Sequence, residues 1–279
     1  FLKIVIPPKG RNHRVSPNLS KHIRIDMALS IVVLSTIQMH EYKKLSIIIP
    51  VYNEERTLWR LISAIEAIDL PLSKEVILVD DGSTDGTREI LKTLDSGKYK
   101  VILQDKNQGK GVAVKRGFET ATGDIVLIQD ADLEYNPQDY PTLIRPIVEG
   151  VADVVYGSRF LKQEHNNNTI VYKRGYLFSR MLNWLSNVLS GVWLTDMYTC
   201  YKVFSKDAIS KIYPNLKSKR FGIDPELTAW VGKMNLKVVE VPISYRGRTY
   251  QEGKKINWKD GIAAIFHIIK FNLVTKCRE

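Results

Sequence analysis

From Leu45 onward, short apolar runs at Leu45–Ile49, Val76–Val79, Val101–Leu103 and Ile125–Ile128 alternate with stretches whose apolar residues recur at helical spacing. That alternation specifies a parallel sheet covered by helices on both faces, because each strand is buried and each crossover is a helix. Leu58, Leu61, Ile62 and Ile65 mark the first helix, Ser83-Thr84-Asp85 reads as the cap of a second, and a third is expected over Gly111–Ala121. Beyond Asp132 the alternation weakens. The sequence there predicts a helix from about Pro137, a strand over Asp153–Tyr156, and a mobile polar loop over Gln163–Asn168. Helices over Tyr176–Leu189 and Pro225–Val231, a strand over Lys237–Val241 and a closing helix over Trp258–Val274 complete the chain, with no internal repeat.

The 279 residues suffice for one sizeable core, expected as one α/β domain with extensions. The net charge of +11 is unevenly spread: residues 1–40 and 246–279 each carry +5, leaving the body nearly neutral. We therefore expect a basic arm over 1–43, disordered or extraneous to the fold, a main domain over 44–250, and a basic amphipathic helix over 251–279. Cys200 and Cys277 match no zinc or redox spacing, which favours a reducing, cytoplasmic compartment. The five histidines are scattered without metal-ligand spacing. Met27–Ile37 is about half the ~20 apolar residues a bilayer span needs, and no cleavage site follows it.

In open α/β sheets, ligands bind outside the carboxyl ends of the strands, so the chemistry should follow each apolar run. The first run ends in Pro50-Val51-Tyr52-Asn53-Glu54-Glu55, the second in Asp80-Asp81-Gly82-Ser83-Thr84-Asp85-Gly86, the fourth in Asp130-Ala131-Asp132-Leu133-Glu134. Asp130 and Asp132 flank a single residue. If the backbone turns there, both carboxylates can face one hard cation, Mg2+ or Mn2+, that also holds a diphosphate. Turns and helix caps use the same residue types, so neither acidic pair decides by itself. Lys110 sits between two glycines at an expected helix start, where N–H groups and an ammonium could meet an anion, although a surface lysine in a turn would look the same. In the second half, Arg159, Arg174, Arg248 and Lys254 could clamp a phosphate, guanidinium being suited to bidentate contact. Each alone reads equally as a solvated charge; Arg159 and Arg248 stand out because each lies near an expected strand end.

The order of these motifs, Pro50-Val51-Tyr52-Asn53-Glu54, Val79-Asp80-Asp81-Gly82-Ser83, Asn107-Gln108-Gly109-Lys110-Gly111 and Asp130-Ala131-Asp132, is more telling than any one of them. Together they resemble the family 2 inverting glycosyltransferases of the Rossmann-like GT-A fold, over roughly Lys44 to Lys270. Within that family the chain looks similar to the dolichyl- or polyprenyl-phosphate sugar synthases of the mannosyl-phosphodolichol synthase type. That similarity lies in Asp130-Ala131-Asp132-Leu133-Glu134, Gly157-Ser158-Arg159-Phe160, Thr195-Asp196 through Cys200-Tyr201-Lys202, and Val241-Pro242-Ile243 leading to Arg248 and Lys254. Two stretches depart from it: Cys200-Tyr201-Lys202 replaces the usual Gly-Phe-Arg, and Gln251-Glu252-Gly253-Lys254-Lys255 stands where Gly-x-Ser-Lys is common.

The resemblance implies a mostly parallel sheet and a donor site of Pro50, Tyr52, Glu54, Asp80, Asp81 and Lys110. It puts Mg2+ or Mn2+ on Asp130, Asp132 and Glu134, and an acceptor phosphate on Arg159, Arg174, Arg248 and Lys254. Asp132, Arg159, Asp196 and Arg248 form the expected catalytic set. The implied reaction moves a sugar from a GDP- or UDP-sugar, such as GDP-mannose, to a polyprenyl or dolichyl phosphate with inversion. A saccharide hydroxyl in cell-envelope polysaccharide synthesis is the alternative acceptor. It would need a carboxylate base, for which Asp196, Asp224 and Glu226 are candidates, whereas a phosphate arrives ionised.

The closing helix carries Ile262, Ile265, Phe266, Ile269 and Leu273 on one face, with Ile268 and Phe271 elsewhere. It packs in the core, or lies with the flanking basic residues on anionic lipid at the cytoplasmic face of a membrane, where a membrane-protein partner could also meet it. Two rival classes fit less well. A nucleotidyltransferase usually needs a Gly-rich basic loop after the first strand, which is absent here. A non-catalytic basic module binding membrane or nucleic acid is opposed by the nearly neutral body and its clustered acids, and no nucleic-acid partner is expected.

Overall fold

The computed structural model describes residues 42–161, 173–248 and 258–276. The expected basic arm up to Glu41, the Gln163–Asn168 loop, Lys254 and most of the linker to the closing helix lie outside them. In chain order the elements are β1 (Lys44–Val51), α1 (Leu58–Glu66), β2 (Ser73–Asp80), α2 (Thr87–Thr93), β3 (Tyr99–Leu103), α3 (Lys110–Thr120), β4 (Ile125–Ile128), α4 (Tyr140–Val148), β5 (Val154–Ser158), α5 (Lys173–Ser190), β6 (Lys202–Ser205), α6 (Lys206–Ile212), α7 (Ile223–Lys233), β7 (Val238–Pro242) and α8 (Trp258–Ile269), which runs into a π-helical turn over Lys270–Val274.

The seven strands form one sheet in the order β3-β2-β1-β4-β6-β5-β7. The first four are parallel to one another, β6 is antiparallel to both neighbours, and β7 is parallel to β5. Leu45, Ile47, Ile48, Ile49 and Val51 of β1 are all fully buried, as a central strand covered on both faces requires. Burying each such side chain contributes roughly 1.5–3 kcal/mol. Every helix and strand expected from the sequence is present, with boundaries shifted by a few residues. Asp85 caps α2 from one residue further out, accepting the Thr87 N–H at 3.0 Å. Two elements went unpredicted, β6 and α6. The four residues of β6 are too few to show a period, and its first, Lys202, is polar yet fully buried beside Asp224.

Chain order reverses between β1 and β4, and it is outside the carboxyl ends at such a switch point that open α/β sheets bind their ligands. β4 pairs with β1 only as far as Ile48↔Ile128, whereas β1 continues to Val51 alongside β2. Pro50, which has no N–H to donate, lies beyond the last β4 pairing, so no ladder bond is lost to it.

The opposite edge is stitched shut. Asp124 accepts the N–H groups of Lys43 and Lys44. Glu75 accepts from Ser46, from the N–H and hydroxyl of Thr122, and from the Lys100 ammonium at 2.7 Å, joining the starts of β1, β2 and β3 to the end of α3. Burial disfavours its charge, but these donors outweigh burial and lower its pKa from 4.5 to about 2. A depressed carboxylate contributes stability that is present above pH 4.5 and is lost as pH falls toward 2. With allowance for partial exposure, Glu75→Gln is expected to cost about 1–2 kcal/mol at pH 7. The gap from the parent chain in denaturant melts should close between pH 4.5 and 2.

Candidate active site

The second strand ends in two aspartates with different tasks. Asp80 is fully buried, accepts the N–H groups of Gly82 and Ser83, and pairs with Arg88 at 2.9 Å. It is a clamp inside the turn, which corrects the expectation that it faces the donor. Asp81 reaches across instead and accepts the N–H groups of Gln108 and Gly109 at 2.7 and 2.8 Å, with the Gln104 amide at 3.1 Å. Burial raises its pKa, and those two N–H groups oppose the rise. Gly82, at φ +72°, lies so close to Lys106 and Asn107 that a Cβ would sit 2.5 Å from the Asn107 nitrogen. Gly109, at φ +98°, would put a Cβ 2.3 Å from the Lys219 carbonyl oxygen. Only glycine lets the 106–111 loop slide between these two segments.

That loop delivers Lys110 to Asp130, the ammonium lying 2.7 Å from the carboxylate. Burial opposes the charge on both. Each charge nevertheless stabilises the other, so the lysine pKa is raised well above normal and that of Asp130 is lowered. The end of β4 is fixed from behind by Gln129, whose buried side chain accepts from the hydroxyls of Tyr140 and Tyr201, each at 2.8 Å, and donates to the Asp130 carbonyl.

The backbone then turns through Leu133 at φ +61°, a left-handed conformation costly for a side chain of this kind. Asn53, after β1, is left-handed as well, at φ +53°. Past that turn, Arg248 gathers three carboxylates: Asp132 at 2.7 Å, Glu134 at 3.3 Å and Glu54 at 3.6 Å. Glu134 also accepts the Arg248 N–H at 2.9 Å and the Tyr245 hydroxyl at 2.8 Å, tying the acidic loop to the 245–248 segment. Asp132 is nonetheless under-compensated. Burial and the neighbouring charges of Asp130 and Glu134 outweigh Arg248 and push its pKa up to about 7.

On the far side of Tyr245, Arg159 forms a bidentate pair with Asp196, Nε and Nη2 each donating at 2.7 Å, while its guanidinium lies 5.0 Å from the Tyr245 ring centre. Pro50 and Tyr52 are partly buried at the end of β1. Arg174 falls in the first turn of α5, where its side chain is outside the described residues, as Lys254 is altogether. The structure thus draws Glu54, Asp132, Glu134 and Arg248 into one cluster, Lys110 and Asp130 into a second, and Arg159 and Asp196 into a third. Gln104, Gln129 and Tyr245 were not singled out from sequence. Tyr245, three residues before Arg248, had a local cue, whereas the others are set by contacts distant in sequence.

Among the described residues, no group of three or more His, Cys, Asp or Glu side chains is so placed that it could by itself hold a metal ion, the expected set of Asp130, Asp132 and Glu134 included. The pair Asp130 and Asp132 is still a fitting donor set for a hard dication, which commonly takes one or two carboxylates and completes its shell with water and substrate phosphate.

Dolichol-phosphate mannosyltransferase of Pyrococcus furiosus is 32% identical over 256 residues, covering 83% of this chain and 68% of that protein. An undecaprenyl-phosphate 4-deoxy-4-formamido-L-arabinose transferase of Aeromonas hydrophila is 40% identical over 129 residues, 44% of this chain and 39% of its own length. Glucosyl-3-phosphoglycerate synthase of Mycobacterium tuberculosis, solved with Mn2+, UDP and phosphoglyceric acid, matches with a TM-score of 0.63 over 85% of this chain and 80% of its own. At 18% identity that likeness speaks to the fold alone, and it bears out the GT-A architecture expected from the motif order. Residues 46–213 match the family described as Glycosyl transferase family 2, and with the motifs standing at the strand ends where the resemblance put them, the chain belongs to that family.

Proposed function

We propose that this glycosyltransferase moves a sugar from a GDP- or UDP-sugar onto a polyprenyl-type lipid phosphate, with inversion at the anomeric carbon. The observation that carries this choice of acceptor is the state of the three candidate bases. Asp196 has both oxygens on Arg159. Glu226 is fully buried and spends its oxygens on the N–H groups of Lys217 and Ser218. Asp224 is ion-paired with the buried Lys202. Carboxylates whose oxygens are already turned to these partners are not free to meet an acceptor hydroxyl, so an acceptor that brings its own negative charge suits the site better. The names of the two relatives that act on dolichol phosphate and undecaprenyl phosphate favour the same choice.

Glu54 and Asp81, with Pro50 and Tyr52, would hold the nucleoside, and Lys110 would lie beside the diphosphate. Mg2+ or Mn2+, held by Asp130 and Asp132, would neutralise charge developing on the leaving diphosphate. Glu134 is assigned to aligning Tyr245 and Arg248, given its bonds to both. Arg159 and Arg248 would flank the incoming phosphate and exclude water from the anomeric carbon.

We further assign a peripheral membrane contact to α5 and α8. Leu177, Met181, Trp184 and Val188 form an exposed stripe on α5. α8 and the π-helical turn after it bury Ala264, Ile268 and Phe271 but leave Ile262, Phe266, Ile269 and Leu273 exposed. Of the face carrying Ile262, Ile265, Phe266, Ile269 and Leu273, all but Ile265 are exposed, which favours the second of the two positions open to this helix. No helix among the described residues is long and apolar enough to cross a membrane. Two exposed apolar stripes beside a basic C-terminal segment suit an interfacial position.

Screening GDP- and UDP-sugars with Mg2+ or Mn2+ against polyprenyl phosphate should yield a lipid-linked sugar. Transfer confined to a saccharide hydroxyl and lost in Asp224→Asn would favour the alternative acceptor. Asp132→Asn should lower transfer at least about 1,000-fold, on the scale of removing one strong electrostatic contact at a transition state. Because the raised pKa of Asp132 makes its ionised form a destabilising group above pH 7, that variant should melt at an equal or higher temperature at pH 8. Combining Trp184→Glu with Phe266→Glu should abolish flotation with anionic phosphatidylglycerol vesicles, and unchanged flotation would remove both helices from the membrane contact.

A further inference from the structure

Arg159 owes its direction to Asp196, and Asp196 stands in a segment, 195–200, that belongs to no helix or strand. Something must hold that segment to within a few tenths of an ångström if the guanidinium is to meet a phosphate squarely. The holder is Glu240, on the edge strand β7. Its Oε2 accepts the Thr195 N–H at 2.7 Å, and its Oε1 accepts the Asp196 N–H at 3.0 Å and the Thr195 hydroxyl at 3.2 Å. The Thr195 hydroxyl also meets Ser158 at 2.6 Å, immediately before Arg159. β7 lies parallel to β5 with Glu240 opposite Tyr156, so a closed circuit runs from β7 through the 195–196 turn to Arg159 and back to β5. We propose that Glu240 is a positioning residue for the acceptor phosphate, acting by fixing the Thr195-Asp196 turn that aims Arg159. This rests on the assignment of Arg159 to an acceptor phosphate.

The chemistry calls for a carboxylate. Three donors converge on its two oxygens, and a carboxylate is acceptor-only, whereas a glutamine would turn an NH2 group toward an N–H. Those bonds all go to residues 195 and 196; Glu54, Asp81, Lys110 and Asp130 on the donor side are not among the partners. A fault at Glu240 should therefore appear at the acceptor and not at the donor. Displacing a bidentate group by even an ångström commonly costs one to two orders of magnitude.

The test uses the full chain and two binding measurements, farnesyl phosphate as a short lipid phosphate and Mn2+ with UDP or GDP as the donor fragment. Glu240→Gln should weaken farnesyl phosphate about tenfold while leaving the nucleotide unchanged. Thr195→Val, which removes one of the three bonds, should give a smaller shift of the same kind and serves if Glu240→Gln does not fold. In an Arg159→Ala background, Glu240→Gln should have no further effect on farnesyl phosphate, because its influence passes through that guanidinium. Unchanged farnesyl phosphate binding, an equal loss on both ligands, or an additive loss without Arg159 would each overturn the role of Glu240. A parent chain that binds nucleotide but no farnesyl phosphate would instead overturn the acceptor assignment, and the role of Glu240 with it.

Discussion

Carboxylates held a few ångströms apart at neighbouring strand ends repel one another, and the carboxyl edge of this sheet is organised around that repulsion. Glu54 follows β1, Asp130 and Asp132 follow β4, and Glu134 comes two residues later. Two cations keep the cluster together. Lys110 arrives on the glycine-flanked loop before α3, and Arg248 arrives from a segment 116 residues beyond Asp132. The compensation is incomplete, as the pKa of about 7 at Asp132 shows: burial and two like charges still outweigh one guanidinium. An acidic pocket left short of positive charge suits a site that completes itself with a dication and the phosphates it grips.

The two edges of the sheet divide the work. At the amino edge, Glu75 and Asp124 are saturated by donors from several elements, and their charges hold the frame together. At the carboxyl edge, left-handed backbone at Asn53 and Leu133 and crowded like charges cost stability that the frame must offset. Asp80 and Asp81 show the division within two residues. The first is folded into its own turn, and the second, also buried, reaches across to hold the loop bearing Lys110.

The later half of the chain adds the antiparallel β6 between β4 and β5, with β7 at the outer edge. This arrangement sets Arg159, Asp196 and Glu240 beside Tyr245, whose hydroxyl leads back to Glu134. The Arg159–Asp196 pair and the carboxylate cluster on Arg248 are thereby linked through one tyrosine. The apolar stripes on α5 and α8 point away from the core that those helices otherwise help to build.

Much of this was legible along the chain. Continuous apolar runs announced the parallel strands, helical spacing announced the crossovers, and the rule that ligands gather at carboxyl ends picked out Glu54, Asp81, Asp130 and Asp132. Those signals are local, arising from the period of a helix or strand and from the few residues that can end one. Sequence did not reveal β6, too short to show a period and headed by a buried lysine. Nor did it give the separate fates of Asp80 and Asp81, the gathering of three carboxylates on Arg248, the engagement of all three candidate bases, or which face of α8 is open. Each of these depends on partners brought together across tens of residues. A carboxylate's role follows from the donors around it and from its exclusion from water, and only the packed chain fixes both.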